Sequence, residues 1–210
     1  MTKKEIWDDI SRQVDNLTDT LGLPVDTKIK QVVVGLNSLG IYTYSSCEGH
    51  CDIDHISFPY VGSQMPSRPK YRYIDEEKII NNILDKYCIE PKEKSIIFSP
   101  GNELAEKEYF DSVSHSLETL EYYKWDSSNY YLQKKVFEII SLFNSQSLHT
   151  KSIRIIYGSV YPGCLIEIQN DDLMTETLPK ELLKEKILEA QKEMNYFADF
   201  LKKSFFAVNK

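Results

Sequence analysis

The chain has 210 residues, of which 41% are hydrophobic and 12% aromatic, a composition that suits an ordinary globular domain with a buried core. Its formal net charge of −7 argues against bulk electrostatic binding of nucleic acid, because phosphate contacts require clustered lysine and arginine. No apolar leader opens the chain and no apolar run approaches the ~20 residues that span a bilayer, so we expect a cytoplasmic protein with reduced cysteines and no membrane partner.

Two amphipathic helices are predicted at the start of the chain. Apolar residues recur at three- and four-residue intervals over 3–21, which predicts one helix face, and Gly22 is a suitable terminator. Asp26 is predicted to cap the second helix with its side chain, and Gly40 to end it.

The remaining elements follow from β-forming runs, helical periodicity and turn residues. In chain order they are strands over 41–45 and 56–61, a helix over 75–87, a short strand over 94–98, a helix over 102–123, a break at 126–129, a helix to 144, a hairpin of 153–157 with 164–169, and a helix over 179–206. Strands do not alternate regularly with helices, which argues against a doubly wound parallel sheet. The pattern predicts a single α+β domain over 1–210, a small mixed or antiparallel sheet packed by several helices. Its last helix either closes the core or pairs with a second copy, as a homodimer.

Reactive side chains concentrate in residues 45–55, which read Ser-Ser-Cys-Glu-Gly-His-Cys-Asp-Ile-Asp-His after a predicted strand. Cys47, His50, Cys51 and His55 have the spacing C-x2-H-C-x3-H, and thiolate and imidazole are the ligands that zinc prefers. Zinc is therefore the cofactor that this pattern suits. Three ligands with an open position are an equal alternative to a closed site of four.

The same segment is compatible with nucleophilic catalysis. Cys47 would lie at the end of a strand, ahead of a turn eased by Gly49, where a side chain is exposed at the sheet edge. His50 or His55 would favour the thiolate form of Cys47, and Glu48 would act as a base or orient a histidine. A third interpretation assigns no chemistry: Cys47 is a small buried hydrophobe and Gly49 serves a tight turn.

Residues 39–50, Leu-Gly-Ile-Tyr-Thr-Tyr-Ser-Ser-Cys-Glu-Gly-His, and the later Phe-Pro-Tyr-Val of 58–61 resemble a family of uncharacterised bacterial proteins. That family is marked by a helix ending in Leu-Gly-Ile, then Ser-Cys-Glu-Gly-His, then a Pro-aromatic-Val strand. The resemblance covers about residues 26–61. It implies Cys47, Glu48, Gly49 and His50 as site residues and implies no particular activity.

Part of the same stretch is also similar to the wybutosine-synthesis tRNA methyltransferase family, which has Tyr-x-Thr-x-Ser-Ser-Cys-Ser-Gly-Arg after a helix with Ile-Asn near its end. This chain has Leu36-Asn37 and then Tyr-Thr-Tyr-Ser-Ser-Cys-Glu-Gly-His over 42–50. Glu48 and His50 stand where that family has serine and arginine. The resemblance implies a shared strand–loop–strand unit.

Arg68, Lys70 and Arg72 alternate with tyrosines, so in an extended segment the three cations share one face and could bind a phosphate or a nucleotide-like ligand.

The leading hypothesis is a small enzyme that uses Cys47, Glu48 and His50 on a small-molecule or nucleotide-like substrate, with Ser46, Gly49 and these cations as ligand-binding residues. The competing hypothesis is a non-catalytic binding or regulatory module in which the same loop forms a structural turn or zinc site.

Overall fold

A computed structural model of the protein describes residues 1–18, 21–51, 56–90, 94–146, 153–170 and 179–207. The helices are α1 (Lys3–Asp15), α2 (Lys30–Ser38), α3 (Glu76–Lys86), α4 (Glu103–Val113), α5 (Leu120–Gln146) and α6 (Lys180–Ala207), and a 3-10 helix covers Lys94–Phe98. The strands are β1 (Thr43–Cys47), β2 (His50–Cys51), β3 (Ile56–Ser57), β4 (Tyr60–Ser63), β5 (Ile153–Val160) and β6 (Gly163–Asn170). This arrangement confirms the predicted α+β class. Within these ranges no helix is both long and apolar enough to cross a bilayer.

The chain divides into two compact units. Unit 1 comprises Met1–Pro66 and Asn129–Lys210, and unit 2 comprises Ser67–Ser128. The expectation of one domain over 1–210 stays a prediction, and each unit is described by itself.

Unit 1 is built on an antiparallel sheet in the order β1-β4-β6-β5, with β2 and β3 forming a second, two-stranded sheet. Helix α2 packs against α1 and α6, and α6 also packs against β5 and β2. The helices approach closely where Gly35 meets Leu201, since a Cβ added to Gly35 would lie 2.8 Å from the Leu201 Cβ. The core between helices and sheet is apolar, with fully buried members that include Val34, Ile155 and Phe197.

Unit 2 has a separate apolar core formed by α3, α4 and the 3-10 helix, with Ile83, Ile97 and Tyr109 among its buried residues. One carboxylate lies inside it. Glu76 is 1% exposed, and its oxygens accept hydrogen bonds from the Arg72 and Tyr73 backbone N–H groups and from the Tyr109 hydroxyl. These donors compensate the cost of burying the charge and hold the chain ahead of α3 in place.

The strand predicted over 56–61 is divided into β3 and β4, and two further predicted elements differ from the structure in their extent or type. Helix α1 ends at Asp15 rather than at residue 21, because Thr18 forms a β-bridge with Pro24 and leaves Leu17 and Leu21 exposed. Residues 94–98 form a 3-10 helix and not the predicted strand.

The boundary between α4 and α5 was also predicted wrongly. The helix predicted over 102–123 is broken before α5, where the Thr119 N–H donates to the Arg72 carbonyl and the Thr119 hydroxyl caps the N–H of Tyr122. The break predicted at 126–129 does not occur. There the Ser128 hydroxyl donates to a carbonyl of its own helix, and the buried Asn129 amide oxygen accepts from a backbone N–H, so neither polar side chain ends α5.

Candidate functional site

The segment that carries the reactive residues is a pair of antiparallel strands with a break in the middle. Strand β1 pairs with β4, and β2 pairs with β3, so the ladder is interrupted at Glu48–Gly49 on one side and Phe58–Pro59 on the other. Pro59 has no N–H to donate to the ladder. Gly49 has φ +88° and is buried against Pro59, whose Cδ would lie 2.8 Å from an added Cβ. Position 49 therefore requires glycine. The break brings the Cys47 and His50 side chains close to each other.

Three potential metal ligands converge beside this break. The Asp26 carboxylate, the Cys47 sulfur and an imidazole nitrogen of His50 all lie within 4.8 Å of one another. They come from three local structures: the turn ahead of α2, the end of β1 and the start of β2. His50 Nε2 lies 3.6 Å from Asp26 Oδ2.

The three potential ligand atoms converge on one point, as metal ligands do, and are not arranged in series as in a proton relay. In a nucleophile–histidine–acid relay, the two imidazole nitrogens face different partners. Here a single His50 nitrogen lies near both the sulfur and the carboxylate. Tetrahedral zinc with bonds of about 2.0–2.3 Å places its ligand atoms about 3.3–3.8 Å apart. The 3.6 Å pair is already at that separation, and the two pairs that include the sulfur need to close by no more than about 1.3 Å.

The Cys47 sulfur is held by polar groups and not sealed among aliphatic side chains. The Gly49 N–H donates to it over 3.3 Å, and the Ser57 hydroxyl lies 3.4 Å away. The same hydroxyl accepts from the His50 N–H at 3.2 Å, so Ser57 links the backbone of one ligand to the side chain of the other. The Gly49 and Ser57 contacts fix the position of the sulfur, as hydrogen bonds around a metal ligand do.

Asp26 has a different role from the one predicted. Helix α2 begins at Lys30, and its N-cap position has no side-chain cap, so the Asp26 carboxylate does not cap the helix. It accepts instead from the Glu48 N–H at 3.1 Å and faces His50. An aspartate just ahead of a helix is normally assigned to capping, and no sequence signal separates that role from a ligand role.

Glu48 belongs to the support of the site and not to its reactive face. Its carboxylate accepts from the Lys28 N–H at 3.0 Å, which ties the β1–β2 break to the turn that carries Asp26. Gln191 of α6 donates its amide hydrogens to the carbonyls of Glu48 and Gly49, at 3.0 and 3.3 Å. Lys28 in turn donates its ammonium group to the Gln191 side-chain oxygen. Sequence analysis identified neither Gln191 nor Lys28.

The three potential ligands open onto a cavity of about 520 Å³ in unit 1. Ser46, one of the predicted ligand-binding residues, lines it, whereas Glu48 and Gly49 are not among its lining residues. Tyr60 also lines the cavity. Burial, together with the nearby Cys47, Tyr44 and Asp26, raises the pKa of Tyr60, so its hydroxyl keeps its proton and can donate a hydrogen bond to a molecule bound there.

Only part of the predicted four-ligand zinc site comes together. Cys51 follows His50 directly in β2, and successive side chains of a strand point to opposite faces, so Cys51 lies outside the group formed by Cys47 and His50. His55 lies outside the described residues. Asp26 supplies the third potential ligand instead.

The predicted cationic residues Arg68, Lys70 and Arg72 belong to unit 2, whereas Cys47 and His50 belong to unit 1. They line a different cavity, within unit 2. A joint role with the Cys47 site stays a prediction.

Comparison of the chain with protein-family models, with curated proteins and with solved structures found no match. The two resemblances noted in the sequence therefore stay predictions.

Proposed function

We propose that this protein is a small cytoplasmic enzyme that holds a zinc ion with Asp26, Cys47 and His50 and acts on a small molecule bound in the adjacent cavity. The observation that carries the proposal is the convergence of three different ligand atoms within 4.8 Å at the wall of a cavity of about 520 Å³. Cytoplasmic location is supported by the cysteines, all four of which are free thiols.

The ligand count favours a catalytic centre over a structural one. Structural zinc sites are closed by four protein ligands, whereas catalytic sites keep one position for water or substrate. Among the described residues, three ligands meet here and the cavity faces them. Zinc in such a site supplies Lewis acidity, activating a water or polarising a carbonyl. Tyr60 and Ser46 would orient the substrate through their hydroxyl groups.

Metal binding is tested with purified protein stripped by a chelator and titrated with zinc. We expect one zinc per chain, and we expect Asp26→Asn, Cys47→Ser and His50→Asn each to weaken binding more than ~100-fold. Matched controls exchange the same residue types at exposed positions: Asp8→Asn, Cys88→Ser and His115→Asn should leave binding unchanged. Loss of binding in the controls, or retention in the three ligand variants, contradicts the proposed centre.

An open coordination position is tested by replacing zinc with cobalt(II) and recording the visible spectrum. A catalytic centre predicts that azide changes this spectrum, because the added anion enters the first coordination sphere. Cobalt binding with a spectrum that azide does not change indicates a closed structural site, and the non-catalytic module would then be the correct interpretation.

A second candidate function is thiol chemistry without a metal, favoured by the two polar contacts of the Cys47 sulfur. It predicts no stoichiometric zinc and faster alkylation of Cys47 than of the exposed Cys88. Peptide mapping after brief treatment with iodoacetamide distinguishes the two candidates.

A further inference from the structure

One of the cavities lined by unit 2 has a volume of about 330 Å³, and none of its lining residues belongs to the proposed zinc centre. Three basic side chains, two aromatic rings and a serine line it: Arg68, Lys70, Arg72, Phe98, Tyr122 and Ser95. No described residue of this lining is acidic, in a chain whose net charge is −7. Such a concentration of cations in a concave site attracts anions.

Arg72 is held in a defined position. Its guanidinium lies between the rings of Tyr73 and Tyr122, with its carbon 5.1 and 5.2 Å from the two ring centres. Its Nη2 and Nε atoms lie 2.7 and 2.8 Å from the Glu118 carboxylate oxygen Oε1. The backbone N–H of Arg72 donates to the buried Glu76 carboxylate. A guanidinium fixed between aromatic faces presents its positive charge at a defined position.

Arg68 and Lys70 carry the more exposed positive charges of the cavity. The Arg68 guanidinium lies over the Trp125 ring at 5.7 Å, and no carboxylate among the described residues is within ion-pair distance of it. The Lys70 ammonium lies 4.8 Å from the Tyr71 ring centre and 3.8 Å from Glu77, and its side chain is 78% exposed. Among the described residues of unit 2, Arg72 and Lys70 have ion pairs with Glu118 and Glu77, whereas the charge of Arg68 has no carboxylate partner.

We infer that this cavity binds the phosphate group of a small organic phosphate through Arg68, Lys70 and Arg72. Planar guanidinium groups match the oxygens of a phosphate bidentately, and a flexible ammonium adds a point charge. The size of the cavity is at the lower end of the range for small-molecule sites, which suits a phosphomonoester. Phe98 is partly buried at its wall and offers an apolar surface to the organic part.

The test is calorimetric titration of the full chain at low ionic strength with adenosine 5′-monophosphate, ribose 5-phosphate and adenosine. Both phosphates should bind and adenosine should not, and added salt should weaken binding. Arg68→Gln and Lys70→Gln change exposed side chains and should not impair folding. Arg68→Gln should weaken binding of the nucleotide about tenfold, and Lys70→Gln should weaken it less.

Lys107→Gln on α4 is the matched control, because it removes the same charge at an exposed position that does not line the cavity. Equal loss in this control and in Arg68→Gln would indicate a general charge effect and overturn the inference. Adenosine binding as tightly as its monophosphate would also overturn it, as would tighter binding of a single-stranded oligonucleotide. None of these measurements depends on zinc, so a failure here leaves the proposed zinc centre unaffected.

Discussion

The side-chain amide of Gln191 donates to the carbonyl of Glu48 over 3.0 Å and thereby connects the middle of α6 to the break between β1 and β2. The same amide donates to the Gly49 carbonyl. Gln191 is 7% exposed and lies 142 residues beyond Gly49 in the chain. The position of the loop that carries Cys47 and His50 is thus set by a distant helix as well as by its own strands.

Replacing Gln191 should therefore reduce zinc affinity without removing a ligand. Gln191→Ala leaves two loop carbonyls without a donor, and we expect about 10-fold weaker zinc binding and about 1–2 kcal/mol lower stability. Zinc titration and chemical denaturation measure the two effects. Lys192→Ala, at the adjacent exposed position, is the control and should change neither. Unchanged zinc affinity in Gln191→Ala would show that α6 does not position the site.

Gly49→Ala should disrupt the site through the backbone. The residue has φ +88°, which an L side chain rarely adopts, and the added methyl group would meet Pro59. We expect a loss of about 1–3 kcal/mol in stability and a marked loss of zinc binding. Gly101→Ala is the control for backbone strain alone, since Gly101 also has positive φ but has open space around its Cβ position. Equal zinc affinity in both variants contradicts the role assigned to the Gly49–Pro59 contact.

Three of the four cysteines should differ in their reaction with a soluble alkylating reagent. Burial raises the pKa of Cys164 to about 12 and its side chain is fully buried, so it should stay unmodified in the folded protein. Cys88 is exposed and should react with or without metal. Zinc should protect Cys47 and leave the rate at Cys88 unchanged, as measured by mass spectrometry of the labelled peptides. Protection of Cys88, or none of Cys47, contradicts the assignment of the ligands.

Glu193 should make the stability of the protein depend on pH. It is 8% exposed, and burial raises its pKa from 4.5 to about 7. Between these two values the folded state binds the proton and the unfolded state does not, so stability falls as the pH rises through this window. Above pH ~7 both states are ionised and the cost of the buried charge is fully present.

Glu193→Gln removes that charge and should raise the stability at pH 8 by about 1–3 kcal/mol relative to the parent chain, with little change near pH 4.5. Urea denaturation at a series of pH values measures the difference. Glu185→Gln, at an exposed position of the same helix, is the control, and its stability should depend on pH as that of the parent chain does. A parallel pH dependence in parent and Glu193→Gln would exclude Glu193 as the group responsible.

Local patterns in the sequence predicted several elements and the location of the candidate site. Helical periodicity predicted α3 and α6 closely, and the turn between two β-rich runs predicted the β5–β6 hairpin. The density of thiol, acid and imidazole groups in residues 45–55 identified Cys47 and His50, which the structure brings together. These features depend on neighbours in the chain, which is why the sequence alone was sufficient for them.

The tertiary structure decided which residues complete the group and what the polar residues elsewhere do. Asp26 reaches Cys47 and His50 only because the turn ahead of α2 lies against the β1–β2 break, whereas Cys51, next to His50, is directed away by the alternation of the strand. Ser128 and Asn129 resemble a helix break, yet α5 continues because a carbonyl of the same helix satisfies Ser128 and the distant Met65 N–H satisfies Asn129. A side chain's role depends on the hydrogen-bond partners within its reach, and those are set when distant segments pack together.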